Sequence, residues 1–157
     1  MISEEYKELN RKLHENPDYG TSGRFYVEKV RGFGIKDILD YGCGKGTLEA
    51  GLGWKIKNYD PVTNPERPEP ADLVVCTDVL EHIEPEYLDA VLEDLRSLTK
   101  GVGYFVLNTG KAKKYLEDGR NAHLIQEGKE WWVGRIEKFF KVVECIEHKN
   151  GLEVYVE

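Results

Sequence analysis

The sequence predicts a single α/β domain with a mostly parallel sheet that closes in an antiparallel hairpin. Three observations predict it. An apolar run, Ile38-Leu39, ends in an acid and a glycine-rich turn, Asp40-Tyr41-Gly42-Cys43-Gly44-Lys45-Gly46, before a short helical stretch. A second apolar run, Leu73 to Thr77, is nearly unbroken, as in a parallel strand covered on both faces. Near the C-terminal end, two strand-like runs flank Asn150-Gly151, a strong two-residue hairpin signal. The 157 residues amount to one domain.

The elements follow in order. Ser3 to His14 places Tyr6, Leu9 and Leu13 at three- and four-residue steps, which reads as an amphipathic helix with Ser3 as N-cap. Asn16-Pro17 ends it. Asp18 to Gly23 is a loop, and Arg24 to Phe33 is a second helix broken by Gly32 and Gly34. Asp37 to Tyr41 is the first strand. Thr47 to Leu52 allows one or two helical turns, and Lys55 to Tyr59 is the second strand, ending at Asp60. Pro61 to Pro70 carries four prolines and no strand pattern. After the Leu73–Thr77 strand, Pro85 suits the first position of a helix. Leu88, Val91, Leu92, Leu95 and Leu98 form that helix's apolar face, and Lys100-Gly101 is expected to close it. Val102 to Leu107 is a strand, Lys111 to Gln126 is irregular, and Gly128 to Lys138 is helical. The hairpin comprises Phe140 to His148 and Leu152 to Val156.

Composition narrows the function classes. Hydrophobic content of 40% and charged content of 32% are ordinary for a globular protein. A net charge of −7 disfavours a nucleic-acid partner. No apolar run is long enough to span a membrane, and the N-terminus lacks a signal pattern, so a cytoplasmic protein is expected. The three cysteines, Cys43, Cys76 and Cys145, are widely spaced, which points to reduced thiols. A zinc site would need closer clustering with histidine, so no metal is expected. Lys111, Lys113, Lys114 and Arg120 form a local basic cluster, read first as a solvated loop and second as a pocket rim for a carboxylate or phosphate.

The glycine turn separates three ligand classes by spacing. Gly44-Lys45 is followed by Gly46 rather than Ser or Thr, which excludes the nucleotide-hydrolase phosphate loop. The sixth position from Gly42 is Thr47, a poor fit to the dinucleotide fingerprint and so to a nicotinamide-dependent oxidoreductase. Two carboxylates, Asp40 and Asp60, at the ends of adjacent parallel strands suit a nucleoside with a charged tail. The first can face an ammonium, and the second can accept hydrogen bonds from both ribose hydroxyls.

Acid-x-Gly-x-Gly-x-Gly resembles motif I of the class I methyltransferases that use S-adenosylmethionine. Asp60 sits where that family places its ribose-binding acid. Asp78-Val79-Leu80-Glu81-His82 resembles the loop after the family's fourth strand, in wording common among small-molecule members. The likeness covers about Asp37 to Gly110 closely; Asp118 to Ile125 with Trp131-Trp132 is similar to small bacterial and phage members.

The resemblance implies a Rossmann-like sheet flanked by helices, with S-adenosylmethionine as cofactor and S-adenosylhomocysteine as product. It implies that Gly42, Gly44 and Gly46 lie against the cofactor, that Asp40 compensates its ammonium, and that Asp60 binds its ribose. Residues 1–34 would close over the cofactor through Tyr19, Gly20 and Arg24. The ten residues from Pro61 to Pro70 cannot hold the family's third strand and adjoining helix, so a reduced sheet is expected. The adenine contact then falls to Pro61 and its loop, with Thr77, Asp78 and Val79.

His82 and His123 are the candidate catalytic bases. The loop 111–126, with Asp118, Arg120 and Asn121, is the candidate substrate loop. Trp131 and Trp132 are read as core first and as a substrate wall second. His14 and His148 read as surface residues. The run that base methylases of nucleic acids usually carry, Asn/Asp-Pro-Pro-aromatic, is replaced by Thr77-Asp78-Val79-Leu80, which favours a small-molecule acceptor. The alternative is a catalytically silent cofactor-binding domain that acts as a subunit or regulator. Acceptor and oligomeric state are not legible.

Overall fold

The computed structural model describes residues 2–157. Its strands are β1 (Ile38–Tyr41), β2 (Lys57–Tyr59), β3 (Ala71–Thr77), β4 (Thr99–Asn108), β5 (Val142–His148) and β6 (Gly151–Val156). Its α-helices are α1 (Glu4–His14), α2 (Val27–Gly32), α3 (Thr47–Leu52), α4 (Leu88–Leu98) and α5 (Lys129–Ile136). The six strands form one sheet in the order β2-β1-β3-β4-β6-β5. β1, β2, β3 and β4 run parallel, and β6 pairs antiparallel with both β4 and β5.

Strand alternation divides the core into two layers. Ile38, Leu73, Val75 and Tyr104 face one side, where α2 and α3 contribute Val30, Leu48 and Leu52. Leu39, Val74, Cys76 and Phe105 face the other, against Val91, Leu92 and Leu95 of α4 and Trp132 and Ile136 of α5. A sheet covered on both faces explains why the Leu73–Thr77 run is apolar throughout. The reduced sheet expected from the proline-rich segment is observed, with β2 as an edge. There the chain makes a tight loop, in which Asp60 and Asn64 exchange backbone hydrogen bonds of 3.0 Å, and forms no third parallel strand.

Ser3 caps α1 as expected, its hydroxyl accepting from the Tyr6 N–H. It also donates to Glu84 at 2.7 Å, which ties α1 to the loop beyond β3. Three boundaries differ from expectation. The second helix begins at Val27, after a separate 3-10 turn over Ser22–Phe25. β2 begins at Lys57, because the Ile56 N–H donates to Glu49 of α3 and so turns away from β1. Lys100-Gly101 does not cap α4: Thr99 is already extended, its hydroxyl closing the helix on the Leu95 carbonyl at 2.8 Å. Gly101 instead lies in β4, where a Cβ would stand 2.6 Å from the Asp72 carbonyl oxygen. The absent side chain is what lets β3 and β4 approach beside a register shift.

Candidate active site

A cavity of about 660 Å³ opens where the parallel strands end. Asp40 and Tyr41 of β1, Tyr59 of β2, Thr77 of β3 and Asn108 of β4 all line it. This carboxyl edge is where open α/β sheets hold their ligands.

The glycine turn forms one wall. The Gly42 and Cys43 N–H groups donate to the Tyr59 carbonyl at 2.7 and 3.0 Å, which clamps the turn to the end of β2. Gly42 has φ 85°, and a Cβ there would lie 2.2 Å from a Val79 methyl. Gly44 has φ 51°, and its Cβ would lie 2.5 Å from the Gly20 carbonyl oxygen. Both positions therefore exclude side chains twice over, by backbone conformation and by space. Gly46 has φ 69° and begins α3 with nothing nearby.

The segment after α1 is docked on this turn. The Lys45 N–H donates to the Gly20 carbonyl at 2.8 Å. The Lys45 ammonium donates to the Asn16 and Tyr19 carbonyls, each at 2.6 Å. Tyr19, Gly20 and Arg24 consequently line the cavity, with Arg24 exposed over the Phe25 ring.

Asp40 and Asp60 stand on either side of the turn, both buried. Asp60 accepts from the Gly44 N–H at 3.2 Å, the Val62 N–H at 2.8 Å and the Thr63 N–H at 3.0 Å. These bonds shape the turn and the following loop, and they bring Pro61 to the cavity wall. Asp40 is in the opposite condition. Burial first, then the neighbouring carboxylates Asp60 and Glu49, push its carboxyl up to about 7. Among the described residues no cation offsets that burial, so the group is one positive charge short.

Beyond β3, Asp78 adopts a left-handed backbone with φ 56°, the sole non-glycine to do so among the described residues. Strain of this kind persists where surrounding contacts over-determine it. Here the Tyr26 hydroxyl donates to Asp78 at 3.0 Å and the Asn108 amide donates to it at 3.2 Å. Thr77, Asp78 and Val79 all face the cavity.

His82 and His123, separate in sequence, meet edge to face with ring centroids 4.8 Å apart, and both line the cavity. Each Nδ1–H donates to a backbone carbonyl: His82 to Ala122 at 2.7 Å, His123 to Gly110 at 2.6 Å. In its neutral form each ring then keeps Nε2 as an acceptor. Burial and the adjacent His123 push the His82 ring down to about 4. That holds it neutral but makes it a weaker proton acceptor than its residue type suggested. The candidate substrate loop is built largely by its own backbone. Asn121 both donates to and accepts from Ala112, at 2.9 and 3.0 Å, and Asp118 accepts from the Arg120 N–H. Arg120 pairs with Asp118 at 2.7 Å, while Lys111, Lys113 and Lys114 remain on the cavity wall.

For the tryptophans the core reading holds at Trp132, while Trp131 is partly exposed; the reading of His14 shifts. Trp132 is fully buried in the core, and neither it nor Trp131 reaches this cavity. His14 is not a surface residue: it is half-buried, lines the cavity and packs edge-on to Tyr19 at 4.9 Å. Tyr6, Asn10 and His14 form a polar stripe at four-residue steps on α1, and all three line the cavity. The Tyr6 hydroxyl, the Asn10 Oδ1 and the His14 Nδ1 are buried without partners. The four-residue spacing was the available signal, hidden by the apolar stripe beside it.

Comparison with known proteins agrees with this geometry. A family profile described as a methyltransferase domain matches residues 2–150. No curated protein matches the chain by sequence. Among solved structures, the chain is similar to the Burkholderia thailandensis 1,6-didemethyltoxoflavin-N1-methyltransferase, at TM-score 0.72 and 15% identity over 99% of this chain and 90% of that one. It is also similar to the N-methyltransferase NodS from Bradyrhizobium japonicum WM9, at TM-score 0.55 and 13% identity over 94% and 86% of the two chains. A third similarity is to the mitomycin 7-O-methyltransferase MmcR, at TM-score 0.62 and 13% identity over 87% and 52%. The fold, the glycine turn at the end of β1 and the matched span agree: the chain belongs to the methyltransferase-domain family.

Proposed function

We propose that this protein is an enzyme that transfers a methyl group from S-adenosylmethionine to a small molecule. The observation that carries the reading is Asp40, a buried carboxylate without a cation, standing with Asp60 around a turn that excludes side chains. The residues fit the cofactor: an ammonium answers Asp40, ribose hydroxyls answer Asp60, and the bare backbone of Gly42 and Gly44 admits close approach. The cavity volume is in the range of small-molecule sites. Of the similar structures, the didemethyltoxoflavin and mitomycin methyltransferases act on small molecules, and the didemethyltoxoflavin enzyme and NodS hold S-adenosylhomocysteine.

When bound, the cofactor supplies an electrophilic methyl group on a sulfonium. The protein's part is chiefly alignment, which contributes up to about 7–11 kcal/mol when donor and acceptor are held in line. Pro61, Thr77, Asp78 and Val79 flank the adenosine part. Tyr19, Gly20 and Arg24, on the docked N-terminal segment, enclose the methionine end. Tyr6, Asn10 and His14 present unpartnered polar atoms to the acceptor. His82 and His123 turn their remaining ring nitrogens to the acceptor side of the cavity. The lysine rim at 111, 113 and 114 favours an acceptor bearing an anionic group.

The test combines calorimetric titration with S-adenosylhomocysteine and labelled methyl transfer into cell extract, fractionated by size. The expected result is saturable binding, with label in the small-molecule fraction. Binding without transfer to any fraction would support a silent cofactor-binding domain instead. Absence of binding at millimolar ligand would overturn both readings.

A further inference from the structure

Three side chains beside the cavity turn a possible ligand atom each toward one another, and no hydrogen bond joins them. One ligand atom from each of Glu81, His82 and His123 lies within 4.8 Å of the others. Glu81 is fully buried, and its Oε2 has no hydrogen-bond partner. Its other oxygen is held by the Asn108 N–H at 3.0 Å and the Asn108 amide at 3.1 Å. The two imidazoles are fixed in the same manner. Each Nδ1 is committed to a carbonyl, so in the neutral ring Nε2 is the nitrogen free to act as a ligand. A bare buried carboxylate oxygen is costly unless something positive answers it. A proton could satisfy one pair of these atoms. A metal ion satisfies all three.

We infer that Glu81, His82 and His123 form a binding site for a divalent first-row transition-metal ion, with its open positions directed at the cavity. The donor set of two imidazoles and one carboxylate suits Mn²⁺, Fe²⁺, Co²⁺ or Zn²⁺. Every ligand has its second polar atom anchored, by Asn108, Ala122 or Gly110, as is usual around protein metals. His82 and His123 reach the cavity wall and Glu81 lies behind them, so an incoming molecule meets the ion from the open side. The inference deepens the proposed function by naming a substrate class: a hydroxyl-bearing acceptor whose oxygen coordinates the ion. Coordination lowers a hydroxyl's pKa, so its proton passes to water without a strong protein base.

The experiment is metal titration of the ligand-free protein, which needs no S-adenosyl compound and so fails or succeeds independently of cofactor binding. Chelator-treated protein is titrated with Co²⁺, read by visible absorption, and with Mn²⁺ and Zn²⁺, read by calorimetry. The expected result is one equivalent bound per chain. Glu81→Gln and His123→Gln should each weaken binding by roughly tenfold or more. His148→Ala, on the exposed hairpin and bonded to Glu153, should leave metal affinity unchanged. Nuclear magnetic resonance of the unaltered protein guards against a variant that does not fold: Mn²⁺ should broaden the His82 and His123 ring signals before those of His148. No saturable binding of any of the three ions would overturn the inference. So would binding that survives both substitutions, or broadening that begins at His148.

Discussion

Replacing Asp40 by Asn separates what the site costs the fold from what it does for the ligand. The carboxyl is 3% exposed and its pKa is raised to about 7 from 3.8. A shift of about 3 units corresponds to about 4 kcal/mol, at about 1.4 kcal/mol per unit. The folded pKa is the raised one, so this stability is fully present below the unfolded value near 4. It is lost as pH rises through about 7. Asn does not ionise and escapes the loss. Between pH 5 and pH 8 the stability of Asp40→Asn relative to the parent should therefore rise by about 3 kcal/mol. The amide's own hydrogen-bonding cost is the same at both pH values and cancels. Urea denaturation of both proteins at the two pH values measures the difference. Ligand binding should move the opposite way. S-adenosylhomocysteine brings an ammonium, which stabilises the ionised carboxylate, so the parent should release close to one proton on binding at pH 6. Calorimetry in two buffers of different ionisation enthalpy counts that proton. Asp40→Asn should release none and bind at least roughly tenfold more weakly, having lost a charged partner. A stability gap independent of pH, or proton release that survives in the variant, would refute the reasoning.

Asp60→Ala should weaken S-adenosylhomocysteine binding by about 1–3 kcal/mol, through loss of a charged acceptor, measured calorimetrically on protein whose fold is checked by circular dichroism. Alanine at the three glycines should grade by environment in a thermal melt. Gly46→Ala pays only the left-handed strain of about 1 kcal/mol, whereas Gly42→Ala adds a collision with Val79 and Gly44→Ala adds one with backbone at Gly20. Val79→Ala should partly rescue Gly42→Ala, and no side-chain change should rescue Gly44→Ala. Trp132→Ala should cost about 3–5 kcal/mol in urea denaturation, because it empties a fully buried site. Its S-adenosylhomocysteine affinity should hold, and a selective loss of affinity with little loss of stability would return Trp132 to the cavity wall.

What was legible in the sequence is what short stretches decide. Asp40 to Gly46 needs only a strand, a turn and a helix start, all specified within one run of residues. The edge position of β2 follows from counting, since the proline-rich stretch has no room for another strand. The Lys100-Gly101 reading failed because two local rules competed. Glycine after a helix usually closes it, but here Thr99 had already done so and the glycine answers a contact with Asp72 across the sheet. His14 was misread for a related reason: Leu9 and Leu13 dominate the periodicity of α1, and the polar stripe beside them gains meaning only once the cavity exists.

The cluster at Glu81, His82 and His123 is the clearest case of chemistry that spacing hides. Glu81 and His82 are adjacent, but His123 lies in the loop of residues 111–126. Its approach depends on that loop folding back, with the Ile125 N–H donating to the Glu81 carbonyl at 3.1 Å and His82 donating to Ala122. Those bonds pin the loop of residues 111–126 to the segment that follows β3. The contacts that bring the third ligand atom into place therefore also close that side of the cavity. If an ion binds there, it cross-links the loop to the strand end. Metal affinity and loop protection from hydrogen exchange should then rise and fall together across substitutions at Glu81, His82 and His123. A variant that lost the ion but kept the loop's protection would show that the backbone bonds alone hold the wall.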